Sequence, residues 1–236
     1  MDEREGGTEA HGHHRDVTGG WLRPAVFGVM DGLVSNFALI AGVAGGGVSD
    51  RTVVLAGLAG LVSGALSMAT GEYTSVASQT ELTMSEIDVE KREIVGRPRS
   101  EQAELALLYR RRGLDADLAE EVARQLSQRP DVWKVHVREE LGVDPDSLPS
   151  PWTAASSSFV AFAFGATVPL LPYVLGFGSL LIALVATAMA LFGAGMLVGR
   201  LTVRSPVYTG TRQLLLGMLA GAATFVIGSL VGSGVA

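Results

Sequence analysis

Five apolar stretches, roughly 24–47, 52–79, 154–176, 178–199 and 213–235, are each long enough to cross a bilayer at about 20 helical residues per crossing. The chain is therefore read as an all-α membrane protein with five transmembrane helices and a helical insert between the second and third. Composition agrees: 48% of the 236 residues are hydrophobic and 30 are glycine. Such an excess suits spans that associate by close backbone approach. The organisation read from this pattern is a cytosolic tail at 1–23 without fixed structure, spans at 24–79, a cytoplasmic insert at 80–150 and spans at 151–236.

Charge outside the spans sets the orientation. Arg4, Arg15 and Arg23 precede the first span, and Arg200, Arg204 and Arg212 separate the fourth from the fifth. The insert holds eleven Lys and Arg, whereas the opposite side has Arg51 alone. An excess of positive charge marks the cytoplasmic side, so the N-terminus and insert face the cytosol and the C-terminus faces out. Sixteen of the 24 acids lie between Glu81 and Asp146, so the net charge of −6 belongs to the insert. Cysteine is absent, which excludes disulfides and thiolate chemistry and leaves oxygen, imidazole or thioether to hold a metal. Nothing in the pattern asks for a nucleic-acid partner. No G-x-x-x-x-G-K-[ST] loop is present, so transport driven by the chain's own nucleotide hydrolysis is not expected. No H-E-x-x-H or G-x-S-x-G motif supports an enzyme either.

The insert begins without a breaker. Thr80 to Val95 has no Gly or Pro, which predicts that the second span continues as one rod about 65 Å long to Gly96 and Pro98. Ser100, Asp115 and Asp131 are then candidate caps for helices reaching Arg112, Gln128 and Leu141, with Gly113, Pro130 and Gly142 as stops. So small a bundle is expected to lean on the rod or on a second subunit.

Two acids fall inside spans, Asp31 and Glu72. Each costs roughly 2.5–3.5 kcal/mol at a bilayer centre, so something should compensate. A carboxylate pair at one depth suits a divalent cation or exchanged protons. The alternative is that Glu72 reaches the interface and Asp31 bonds a neighbouring helix. Met68, one turn from Glu72, adds a thioether that favours a softer ion such as Fe²⁺ over Mg²⁺ or Ca²⁺, although a lone Met in a span is more often packing. Ala56, Gly60, Gly64, Met68 and Glu72 share one i, i+4 line, a candidate pore-lining or dimer face. Pro169 and Pro172 either kink the third span or mark its outer end.

In the insert, Glu90, Glu93, Glu101 and Glu104 form two E-x-x-E pairs separated by seven residues. Each pair puts like charges on one helix face, and the Gly96 to Ser100 break lets the second helix fold back on the first. A bound cation would relieve that repulsion. His136 and Glu140, at i, i+4, offer an imidazole and a further carboxylate. Solvated acidic helices are common, and Arg92, Arg97 and Arg99 lie close enough to neutralise some of these acids. His11, His13 and His14 in the tail either capture metal weakly or are simply solvated.

With these motifs in hand, the chain resembles the vacuolar iron transporters and their bacterial relatives. The likeness is carried by DGLVSNFALIAGVAGG, AGLVSGALSMATGEYTSVASQTE, the E-x-x-E repeat with its GRP break, VHVREELG and SSFVAFAFGATVPLLPY, in that order. It implies a homodimer in the lipid bilayer that exchanges cytosolic Fe²⁺, and often Mn²⁺, for protons, with an insert that binds several metal ions. By position it implies pore roles for Asp31 and Met68 and ligand roles for Glu90, Glu93, Glu101, Glu104 and Glu140. His136 falls where a plant member has methionine, and Gly60 falls where that member has a second pore glutamate, a role that Glu72 is expected to take over. Carboxylate-rich sites also bind Zn²⁺ or Co²⁺. The alternative function is a membrane-anchored metal sensor or storage-associated protein that does not transport.

Overall fold

The computed structural model describes residues 20–202 and 204–234. The tail with His11, His13 and His14 lies outside the described residues. Eight α-helices follow one another, and no strand occurs among the described residues. They are α1 (Leu22–Gly45), α2 (Asp50–Gly96), α3 (Pro98–Arg111), α4 (Ala116–Leu126), α5 (Val132–His136), α6 (Pro151–Val174), α7 (Leu180–Leu201) and α8 (Pro206–Gly234). A π-helical turn, Val137–Leu141, continues α5. Five of these, α1, α2, α6, α7 and α8, are long and apolar enough to cross a membrane. They are the spans of an all-α membrane protein.

Local chemistry sets the ends. Ser49, Ser150 and Ser179 each turn a side-chain oxygen to a backbone N–H three residues on and so cap α2, α6 and α7. Pro151 occupies the first turn of α6, where its missing N–H removes no helical bond. Gly47, at φ +74°, lets the chain leave α1 by a left-handed turn. The rod expected from the sequence is present: α2 runs unbroken for 47 residues, about 70 Å, to Gly96. Pro169 and Pro172 lie in the last turns of α6, which ends at Val174, so they sit at its end rather than its middle.

Three expectations shift in detail. The third helix begins at Pro98 rather than Ser100, because Pro fits a first turn and Arg97 takes the cap position. Asp115 and Asp131 precede α4 and α5 but bond no helical N–H, and Asp131 instead receives Arg129. The last span begins at Pro206, seven residues before its apolar stretch, because Tyr208 and Arg212 extend the helix beyond the apolar run.

Packing centres on α1, which lies against α2, α6 and α8. Glycine makes this possible: a Cβ at Gly28 would come within 2.8 Å of the Ser158 carbonyl of α6, and one at Gly232 within 2.7 Å of the Gly46 carbonyl beyond α1. Backbones that approach this closely gain dispersion contacts that lipid-facing Leu cannot provide. Ile40, Val53, Leu170, Tyr173 and Ala183 form one buried cluster at the end remote from the insert, and Ala65, Phe162 and Ala166 form another nearer the middle. In the insert, Leu105, Ala106 and Ala123 are buried between α3 and α4, with Val135 packed against them. Lys91 of α2 stands 4.4 Å from the ring centre of Trp133, which ties α5 to the rod. Thr80 donates to the Pro149 carbonyl at 3.3 Å, where the chain returns to α6.

Candidate metal sites

The first site lies among the spans. Asp31, nine residues along α1, lines a cavity of about 250 Å³ bounded by α1, α2 and α6. Asn36, Gly60, Gly64, Ser67 and Met68 line it too. The line of small residues on α2 thus leads to Asp31: Gly60 faces Asn36 and Leu39, and Gly64 faces the Phe162 ring. Asp31 also lines a second, larger space of about 700 Å³ between α1, α7 and α8, with Arg23, Thr202 and Gln213 in its walls. A carboxylate shared by two cavities can meet a cation from one and a proton from the other.

Glu72 is placed differently. It is half-buried and lines neither cavity. Its neighbour Tyr73 meets Trp152, in the first turn of α6, edge-on at 4.8 Å. Aromatic pairs of this kind gather at membrane–water boundaries, so Glu72 stands near the insert-side end of the spans while Asp31 lies deeper.

Asn36 was not singled out from sequence. It is fully buried, its Nδ2 donates to the Ala166 carbonyl of α6 at 2.7 Å, and its Oδ1 has no hydrogen-bond partner. The available signal was a run of polar residues, Ser35 and Asn36, in an otherwise apolar stretch one turn after Asp31.

The second site lies in the insert. Glu90 of α2, Glu101 of α3, His136 at the end of α5 and Glu140 in the π turn each offer a ligand atom, and these atoms lie within 4.8 Å of one another. Two donors sharing an ion at about 2.1 Å each can stand at most about 4.2 Å apart. The widest pair must close by at least about 0.6 Å, from 4.8 Å to about 4.2 Å, for the set to share a cation. Three carboxylates with one imidazole suit Fe²⁺, Mn²⁺, Zn²⁺ or Co²⁺.

The cluster is strained without a counter-charge. His136 Nδ1 lies 2.9 Å from Glu140 Oε1 and 3.0 Å from Glu90 Oε1. One ring nitrogen cannot serve both; its contact with Glu140 has hydrogen-bond geometry, and the buried Glu90 Oε1 is left without a partner. Burial first, and then the charge of Glu140, push the Glu90 carboxyl up to about 7, against the pull of His136. Burial, followed by the charges of Glu104 and Glu93, also raises Glu101. Arg92, Arg97 and Arg99 form no ion pair among the described residues, and no Lys or Arg pairs with Glu90, Glu101 or Glu140. The insert's arginines serve its rim instead, as Arg138 does with Asp144 at 2.8 Å and Arg112 with Glu139.

Glu93 and Glu104 are exposed and outside the converged set, near enough to act on Glu101 only through their charge. Gly142, at φ +66°, closes the π turn by donating to the Val137 carbonyl, which fixes the segment that presents Glu140. Single π turns often occur at functional sites.

Comparison with known proteins adds a second line. Residues 22–229 match the VIT family. The chain is 40% identical over 199 residues to a vacuolar iron transporter of Acanthamoeba castellanii, a match covering 79% of this chain and 73% of the relative. It is 32% identical over 229 residues to vacuolar iron transporter 1 of Arabidopsis thaliana, covering 93% and 90%. Vacuolar iron transporter 2 of Oryza sativa subsp. japonica is 31% identical over 229 residues, covering 95% and 93%.

Proposed function

The chain belongs to the VIT family, and from that premise we propose that it carries Fe²⁺, and Mn²⁺ as well, out of the cytosol in exchange for protons. The observation that supports this most is Asp31: a carboxylate deep among apolar spans, in a cavity that also holds the Met68 thioether. A carboxylate and a thioether together favour a moderately soft divalent ion. Asp31 releases its proton to accept the cation and takes a proton back when the cation leaves, which is the minimal chemistry of exchange. Glu72 guards the insert-side mouth and passes cations toward Asp31.

The insert is the collecting site. Glu90, Glu101, His136 and Glu140 hold an ion between them, and Glu93 and Glu104 hold further ions at the rim. Zn²⁺ and Co²⁺ compete there under the general affinity order, so tight binding does not identify the cargo. The short-loop arginines support a cytosolic insert and N-terminus. We place the chain in a bacterial cytoplasmic membrane.

The chain acts as a homodimer. The Asp31 cavity opens beside Ser35 and Ser67, which are exposed on α1 and α2. A carboxylate open to lipid is unfavourable, and a second copy laid on this face would seal it. Exposed Leu82, Met84 and Val95 continue the same need along the rod.

The test is Fe²⁺ and Mn²⁺ flux into proteoliposomes under an imposed pH gradient. Flux that follows the gradient supports the exchanger. Metal binding to the insert with no flux in any gradient would instead favour a membrane-anchored sensor.

A further inference from the structure

The Asp31 cavity contains an oxygen with no partner. Because Asn36 Nδ2 donates to the Ala166 carbonyl at 2.7 Å, the orientation of this amide is fixed: the opposite orientation would set two acceptors against each other. Oδ1 therefore points away from α6 and toward α2. There it meets Gly60, where a Cβ would stand 2.8 Å from it. Asn36 is 1% exposed, so bulk solvent does not reach Oδ1. An unpaired buried acceptor is a standing penalty that most interiors avoid.

Among the described residues, three buried side-chain atoms lack a partner: Asn36 Oδ1, Glu90 Oε1 and Ser158 Oγ. Glu90 belongs to the converged cluster of the insert. Asn36 lines the cavity that holds Asp31 and Met68. Each candidate metal site thus carries one orphaned oxygen, as expected where the missing partner is a cation.

We propose that Asn36 Oδ1 is a cation ligand of the membrane site, completing with Asp31 and Met68 a donor set of carboxylate oxygen, amide oxygen and thioether sulfur. Gly60 is the residue that permits it, because any side chain there would cover Oδ1. The site then carries a single negative charge. An amide oxygen supplies coordination without a second carboxylate, so the ion is held weakly enough to leave. This inference rests on the reading that the cavity carries the cation.

Initial rates of Mn²⁺ uptake into proteoliposomes, measured against metal concentration on the full chain, test it. Asn36→Leu is expected to raise KM about tenfold or more, as loss of one ligand does. That variant also loses the bond to Ala166, so Gly60→Ala is the companion: it keeps the Asn36 amide, pushes the flexible Leu39 side chain aside, crowds Oδ1 with a methyl group, and is expected to raise KM several-fold. Asn36→Asp keeps an oxygen toward Gly60, and its second oxygen carries a proton to donate to the Ala166 carbonyl as Nδ2 does, so its KM is expected to stay well below that of Asn36→Leu. Thermal unfolding of each variant identifies any that fail to fold, and the gap in KM between Asn36→Asp and Asn36→Leu decides the matter even if Gly60→Ala does not fold. Wild-type KM in the folded Asn36 and Gly60 variants, with flux abolished in Asp31→Asn, would overturn the ligand role and leave the cavity reading intact. Undiminished flux in Asp31→Asn would overturn the cavity reading and this inference together.

Discussion

The Asp31 cavity and the His136 cluster hold the same kinds of donor under opposite constraints. In the insert, three carboxylates and an imidazole come within 4.8 Å, and the strain of that crowding is taken up by protons, with Glu90 pushed up to about 7. Among the spans, one carboxylate stands in a space of about 250 Å³ with a thioether, an amide and the hydroxyls of Ser35 and Ser67 as its polar company. A dense acidic cluster in water-accessible protein can retain ions. A sparse site in lipid cannot offer several charges, because each costs too much there, and so it releases what it binds. Under the proposed function, retention and passage are divided between the two regions by the solvent around them.

The largest effect expected is at Asp31. Asp31→Asn should lower gradient-driven flux on the order of a hundredfold, about 2.7 kcal/mol at 1.36 kcal/mol per decade. Equal flux in wild type and variant would break the comparison at its first term. Next in size are the insert ligands: His136→Ala or Glu90→Gln should weaken divalent-ion binding on the order of tenfold to a hundredfold by calorimetry on the purified chain. Glu93→Gln and Glu104→Gln should change it only a few-fold, because those side chains are exposed and outside the converged set. The same loss at all four would show that the crowded set has no special standing.

Protons sharpen the contrast further. Metal must displace the proton that Glu90 holds up to about 7, so insert affinity should fall as pH drops from 8 to 6. Stability of the metal-free chain should run the other way. The folded state binds a proton at Glu90 more readily than the unfolded state, whose Glu titrates near 4.5. The stabilising effect of that proton is complete below about 4.5 and lost as pH rises through about 7, so the apparent Tm should decline between pH 5 and pH 8. Saturating Mn²⁺ should reverse the decline. A Tm indifferent to pH in Glu90→Gln but not in wild type would assign the effect to this residue.

The smallest effect is at the backbone. Gly142 closes the π turn at φ +66°, and Gly142→Ala should cost about 1 kcal/mol and lower Tm by a few degrees. A larger fall in insert affinity than in stability would show that the turn positions Glu140.

The sequence made some of this plain and hid the rest for identifiable reasons. The rod of α2 was legible because the absence of Gly and Pro from 80 to 95 is a local signal, and Gly96 ends it where expected. Convergence of Glu90 with Glu101 followed from the break between them. That Glu93 and Glu104 stay outside did not: residues three apart on a helix differ by about 60° around the axis, and the seam between α2 and α3 decides which of the two it buries. The caps Ser49, Ser150 and Ser179 are local as well and were available to a closer reading. The direction of the Asn36 amide was beyond reach, since it is set by a carbonyl 130 residues away on α6. Asp31 and Glu72 looked level when counted from span ends, yet Tyr73 and Trp152 place Glu72 near the boundary.

The measurement that bears most directly on the division between passage and retention is a paired one on Asp31→Asn and on the double variant Glu90→Gln, Glu140→Gln. Each is scored for Mn²⁺ flux under a pH gradient and for Mn²⁺ binding by the purified chain. The account expects Asp31→Asn to bind at the insert and not transport, and the insert variant to transport at a several-fold lower rate with insert binding lost. Transport abolished in the insert variant and retained in Asp31→Asn would contradict it.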